Sequence, residues 1–208
     1  IRSSPGCQIS TMRPEDVDFD GEYVTELATG KQISRSQIGN NVMCFSNAPL
    51  SASEAFSSPV SPPPFMVGMA EVEIDKETGV LELIDYVAVV DCGTVINPNL
   101  ARVQVEGGIA QGIGMALYED VVYNEKGKNF SNSLMQYKIP TRLDVGTIRV
   151  EFESSYEPTG PFGAKSIGEI VINTPSPAIS NAIQNATGVI IRELPMTAEK
   201  IYRGISGR

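Results

Sequence analysis

The sequence predicts an α+β fold, and three observations carry that prediction. Residues 65–93, FMVGMAEVEIDKETGVLELIDYVAVVDCG, read as two strands around a DKETG turn. Residues 97–120, NPNLARVQVEGGIAQGIGMALYED, repeat apolar side chains at helical spacing. Strands and helices then mix without a regular βαβ rhythm, which favours mixed sheet hairpins packed with a few helices over a doubly wound sheet. With 208 residues and 41% apolar side chains the chain is long enough to bury a core.

Taken in order, residues 1 to about 57 are polar and weakly periodic. FDGEYVTELATGKQIS within them predicts a small hairpin with turns at DG and TGK. The acidic RPEDVDFDGE lacks the ligand spacing of a calcium loop and reads as solvated. SSPVSPPPF (57–65) is too proline-rich for a central strand or a helix interior and reads as an extended strap. Two regions are therefore expected: 1–65, a polar segment with its strap, and 66–208, the main domain.

In the first strand of that domain Val72 and Ile74 alternate with Glu71 and Glu73, whereas YVAVVDC is apolar nearly throughout and predicts a strand buried on both faces. The following helix starts near Pro98, with Leu100, Val103, Ala110 and Leu117 as its apolar positions. VVYNEKGKNF predicts a hairpin, and GTIRVEFES a strand with Ile148, Val150 and Phe152 on one side. In TPSPAISNAIQNATG, Ser176 is the expected N-cap, Pro177 the first helical residue and Gly188 the stop, with Ile179, Ile183 and Ala186 inward. VIIRELP predicts a short strand, and Thr197 caps a last helix through Tyr202.

Composition excludes several function classes. A net charge of −9 and a pI near 4.6 give no basic face for a phosphate backbone, so nucleic acid is not an expected partner. No apolar run approaches the roughly 20 residues that cross a bilayer, and no signal-like segment opens the chain, so a cytoplasmic protein is expected. Histidine is absent, and Cys7, Cys44 and Cys92 are scattered, which suits free thiols and removes zinc, iron–sulfur and Ser-His or Cys-His chemistry.

Two segments remain as candidate sites. Gly107, Gly108, Gly112 and Gly114 lie inside a predicted helix, where each costs about 0.5–1 kcal/mol relative to alanine. Close approach by another backbone or by a ligand would offset that cost. Gln111 stands among them with an amide that both donates and accepts, suited to a heterocycle, or it is merely solvated. The second segment, GPFGAKSIGE (160–169), is either a surface turn or a loop that runs inward. In the inward case its N–H groups face an anion or polar cofactor, and Glu169 is a partly desolvated carboxylate suited to general-base work. Asp91-Cys92-Gly93 ends a strand where a site could lie, although a strand-to-helix connection needs the same residues, and Cys92 reads as a small core residue.

The segments AEVEIDKETG, VDCGTVINPNLARVQVEGGIAQGIGMAL, MQYKIPT, GPFGAKSIGE and PAISNAIQNATGVIIRELPMTAEKIY, in that order over about 66–205, resemble the molybdenum-cofactor-binding subunits of the xanthine oxidase family. That family includes xanthine dehydrogenase, aldehyde oxidoreductase and aerobic carbon monoxide dehydrogenase. The resemblance implies a molybdopterin-binding-domain-like fold and hydroxylation of an electron-poor carbon of a small molecule, with water as oxygen source. It implies Glu169 as the base beside molybdenum and Gln111 as a pyranopterin contact. Gly107, Gly108 and Gly112 would give clearance, and Gly163, Ala164, Lys165, Ser166, Ile167 and Gly168 would line the cofactor. No residue of this chain is expected to ligate the metal. Nothing here matches the family's earlier cofactor-binding half, so the resemblance implies the C-terminal part of such a subunit. Molybdenum-molybdopterin would be shared with the remainder of the subunit, and iron–sulfur and FAD carried by partner subunits or domains. The alternative is a non-catalytic assembly domain of the same complex.

Overall fold

A computed structural model describes residues 13–45, 53, 55 and 57–207, so the expectation for Cys7 falls outside the described residues. The chain divides into two compact units, residues 1–55 and 56–208.

In the first unit, strands β1 (Val17–Phe19), β2 (Tyr23–Glu26) and β3 (Gln32–Ser34) form an antiparallel sheet in sequence order. Asp20 builds the first turn: its Oδ1 accepts from the N–H groups of Glu22 (2.8 Å) and Tyr23 (2.7 Å). The expected hairpin thus carries a third strand, and helix α1 (Arg35–Phe45) follows it directly. That helix has almost no apolar stripe, so periodicity did not reveal it.

In the second unit, β4 (Phe65–Ile74) pairs antiparallel with β5 (Leu81–Asp91), and β6 (Thr147–Phe152) adds parallel to β5 with Asp85 opposite Thr147. A parallel neighbour requires a crossover, and the 20-residue helix α2 (Pro98–Leu117) lies within it. The Asn97 side chain caps α2 by accepting from the Leu100 N–H (3.1 Å), and Pro98 occupies the first turn, whose N–H groups need no helical acceptor. The short helix α3 (Ile170–Asn173) runs into α4 (Pro175–Thr187), and α5 (Ala198–Ser206) ends the unit. Thr197 caps α5 with its side chain, and Gly188 stops α4 in a left-handed conformation.

The core lies on one side of the sheet. Tyr86, Ala88 and Val90 of β5 and Val150 of β6 meet Val105, Ile109 and Ile113 of α2, Val171 of α3, and Ile179 and Ile183 of α4. Tyr86 donates from its hydroxyl to Thr174 Oγ1 (3.0 Å), tying the sheet to the α3–α4 junction. The other face leaves Phe65, Val67, Met69 and Val89 exposed, so β5 is buried on one face, not both. An apolar strand reports what it could bury against, and this chain supplies a cover for one side only.

Four further expectations change. The buried residues of α2 are Val105, Gly108, Ile109, Gly112, Ile113, Gly114, Ala116 and Leu117, so of the expected positions Leu117 is buried and Ala110 packs against the core, while Leu100 (68%) and Val103 (66%) face outward. Helix α4 begins at Pro175 with Thr174 in the N-cap position, two residues earlier than Ser176, because Pro175 itself fits the first turn. Ala186 is exposed. Residues 189–195 form no strand and pair with neither sheet. The expected hairpin at 121–130 forms in short form: the Phe130 N–H donates to the Val122 carbonyl (2.8 Å) and the Asn124 N–H to the Lys128 carbonyl (3.0 Å) around the Tyr123–Asn129 bridge, with Asn124 Oδ1 accepting from the N–H groups of Lys126 (3.0 Å) and Lys128 (2.9 Å).

Candidate functional site

The loop 160–169 is laid against the end of β5 by backbone bonds. Thr94 N–H donates to the Gly163 carbonyl (2.8 Å), Lys165 N–H to the Cys92 carbonyl (2.7 Å), and Gly93 bridges Ala164. Gly163 is buried with φ +81°, and a Cβ there would lie 2.4 Å from the Tyr156 ring, so only glycine fits. Phe162 beside it also takes a left-handed backbone (φ 54°) while its ring is 85% exposed. Ile167 packs against the core, and Ser166, Gly168 and Glu169 are exposed.

Glu169 is the last residue before α3, whose placement fixes it. Two residues on, Val171 is fully buried, and a Cβ on Gly108 would lie 2.1 Å from its methyl. One turn along α2, a Cβ on Gly112 would stand 2.6 Å from the Pro175 ring and 2.8 Å from the Ile172 carbonyl. Gly108 and Gly112 therefore let α3 and the start of α4 approach the helix backbone. Gly107 differs: it is exposed, with nothing within 4 Å of the position a Cβ would take, and Gln111, one turn on, is exposed beside it. Gly168 has the same open space before it. The α2–α3 contact thus brings the two candidate segments, far apart in sequence, to one region. It does not desolvate Glu169, contrary to expectation, because no other described residue covers it.

Sequence reasoning undervalued Asp91. Its Oδ2 lies 2.6 Å from Lys165 Nζ, and its Oδ1 accepts from the Ser155 hydroxyl (2.6 Å) and the Gly93 N–H (3.0 Å). The ammonium of Lys165, foremost, and then these two hydrogen bonds hold the Asp91 carboxyl down at about 2. Lys165 also lies over the Phe65 ring, 5.3 Å from its centroid. Its charge is therefore directed into the protein, and its backbone N–H is taken up by the Cys92 carbonyl. Cys92 is buried, and burial raises its thiol above the usual range, consistent with a core residue. A cavity of about 380 Å³ lies between the strap and the loop, lined by Ser58, Ser61, Pro62, Pro161, Lys165 and Ser166 among others. The Ser58 hydroxyl donates to the Thr159 carbonyl (3.0 Å) at its side.

Among the described residues, no group of three or more carboxylates and thiols stands close enough to hold a metal ion. No hydrogen bond joins the Gln111 amide, the Ser166 hydroxyl or the Glu169 carboxylate to another described residue. Each of these residues is exposed beside a glycine or loop backbone. Exposed amide, hydroxyl and carboxylate groups of this kind can donate and accept hydrogen bonds to a bound polar molecule.

Comparison with known proteins agrees with the fold. The family described as molybdopterin cofactor-binding domain matches residues 5–146, a span that contains α2 and ends before the 160–169 loop. A "Probable hypoxanthine oxidase" of Escherichia coli (strain K12) is 37% identical over 146 residues, 68% of this chain and 15% of that protein. The "Xanthine dehydrogenase molybdenum-binding subunit" of Escherichia coli O157:H7 is 35% identical over 154 residues, 74% of this chain and 20% of that protein. Among solved structures, quinoline 2-oxidoreductase from Pseudomonas putida 86 superposes with a TM-score of 0.75 at 30% identity, covering 93% of this chain and 26% of that one. The chain thus spans about a quarter or less of the length of these relatives.

Proposed function

The chain belongs to the molybdopterin cofactor-binding domain family, and we propose that it is the C-terminal cofactor-binding portion of a molybdenum hydroxylase in which Glu169 is the general base. The observation that carries this is that α2 and the start of α3 pack together through Gly108 and Val171, while Gln111 and Glu169 are both exposed, beside Gly107 and Gly168, where an added Cβ would meet nothing within 4 Å.

In this proposal Gln111 holds the pyranopterin through its amide, donating and accepting at once. Gly107 and Gly168 keep side chains out of its path, and the 163–168 backbone lines it, with the Ser166 hydroxyl as a further donor. When bound, molybdenum-molybdopterin supplies two-electron redox chemistry to the site. Glu169 takes up, on a carboxylate oxygen, the proton released as oxygen derived from water is transferred to an electron-poor carbon of a small-molecule substrate. The remainder of the subunit closes over Glu169 and provides the desolvation that this chain alone does not. Iron–sulfur and flavin centres on partner subunits or domains remove the electrons, in a cytoplasmic complex.

In the complete subunit assembled with its partners, Glu169→Gln should lower turnover about 10²–10⁴-fold, the range of a positioned general base, while molybdenum content stays at the parent level. Near-parent turnover in that variant would remove Glu169 from the chemistry.

A further inference from the structure

We propose that Asp91 and Lys165 act as positioning residues, a partly buried latch that fixes the 160–168 loop and, through it, the cofactor-facing backbone and Glu169. The relation to the cofactor rests on the function proposed above; the latch itself stands on geometry. Lys165 has a side chain only 7% exposed, whereas every other ion-paired cation among the described residues is 33% or more exposed. Its Nζ lies 2.6 Å from Asp91 Oδ2, and the remaining Asp91 oxygen accepts from Ser155 (2.6 Å) and Gly93 (3.0 Å). With Phe65 beneath the ammonium, one charge pair joins four separate stretches: the start of β4, the end of β5, the segment after β6, and the loop.

A buried ion pair is a poor source of stability, because desolvating two charges offsets much of their attraction, and an apolar pair of similar size does as well. What such a pair adds is a single geometry, since either charge left alone inside the protein is strongly unfavourable. The backbone bonds from Thr94 to Gly163 and from Lys165 to Cys92 already dock the loop as far as residue 165. Beyond it, Ser166 and Gly168 are exposed, so the Lys165 anchor is the last side-chain ion pair before Glu169.

The test uses the complete subunit with its partners and two readouts independent of turnover. One is hydrogen exchange of the 163–168 amides in the cofactor-free form; the other is pterin and molybdenum content after loading. Asp91→Asn strands the enclosed Lys165 ammonium, and Lys165→Met leaves the half-buried Asp91 carboxylate without its cation, so each loses stability. The double variant Asp91→Asn/Lys165→Met strands none, so it folds and carries the test. In it, exchange of the 163–168 amides should rise about tenfold or more, with β4–β5 protection retained. Pterin content should also fall severalfold, as when a ligand's supporting shell is lost. Unchanged loop exchange in the double variant would overturn the latch, and so would a loosened loop that retains parent pterin content. Neither readout involves the proton chemistry of Glu169, so failure of the latch and failure of the general-base proposal are separable.

Discussion

Gly107 and Gly108 are neighbours in sequence and opposites in structure. Gly108, with Gly112 one turn on, lies under Val171, Ile172 and Pro175, where a Cβ would meet atoms at 2.1–2.8 Å. Gly107 looks onto open space on the side that carries Gln111. One glycine-rich run thus serves two purposes: its packed side sets how closely α3 approaches, and its open side is clear for a partner molecule. Placement of Glu169 depends on the first, and the proposed cofactor contact on the second.

Substitutions that fill one side and leave the other alone sharpen this contrast. Gly112→Ala should have the largest effect on the fold, since the new methyl meets a proline ring and a carbonyl that cannot rotate away. A destabilisation of about 1–3 kcal/mol is expected from denaturant unfolding of the chain. An unchanged midpoint would show that α3 and α4 shift freely and that the close approach is incidental. Gln111→Ala should leave unfolding within about 0.5 kcal/mol of the parent, because the side chain is exposed and without partners. In the loaded complex it should weaken pterin retention by about 1 kcal/mol, the loss of one net hydrogen bond. Full retention would assign the open side to something other than the cofactor. Gly107→Ala should have the smallest effect and the opposite sign on folding, stabilising α2 by about 0.5–1 kcal/mol while lowering pterin content. Stabilisation with undiminished pterin content would mean that the open space faces solvent in the assembled protein.

Much of the second unit was legible from short-range rules. The DKETG turn, the strand of Ile148, Val150 and Phe152, the start of α2 at Asn97-Pro98 and the stop at Gly188 all follow from backbone preferences of residues adjacent in sequence. The apolar face of α2 was misread at Leu100 and Val103 because they repeat at helical spacing as faithfully as Val105 and Ile109 do, and periodicity cannot say which face finds a partner within this chain. Residues 189–195 have strand-forming side chains but pair with neither sheet. The candidate site was legible as two motifs, Gly107–Gln111 and Gly163–Glu169, with no sign of their common support.

Local chemistry by itself therefore determined where several of the strands and helices of the second unit begin or end, the absence of histidine chemistry, and which loop carries an isolated carboxylate among glycines. Each of those is a property of a few consecutive residues. Tertiary structure alone decided that Gly108 admits Val171, that Asp91 and Lys165 meet although they are 74 positions apart in the chain, and that Glu169 remains uncovered by the described residues. Contacts of that kind depend on the path of the backbone between distant segments, and the cost of burying a charge or a bare helix face is settled only where those segments meet.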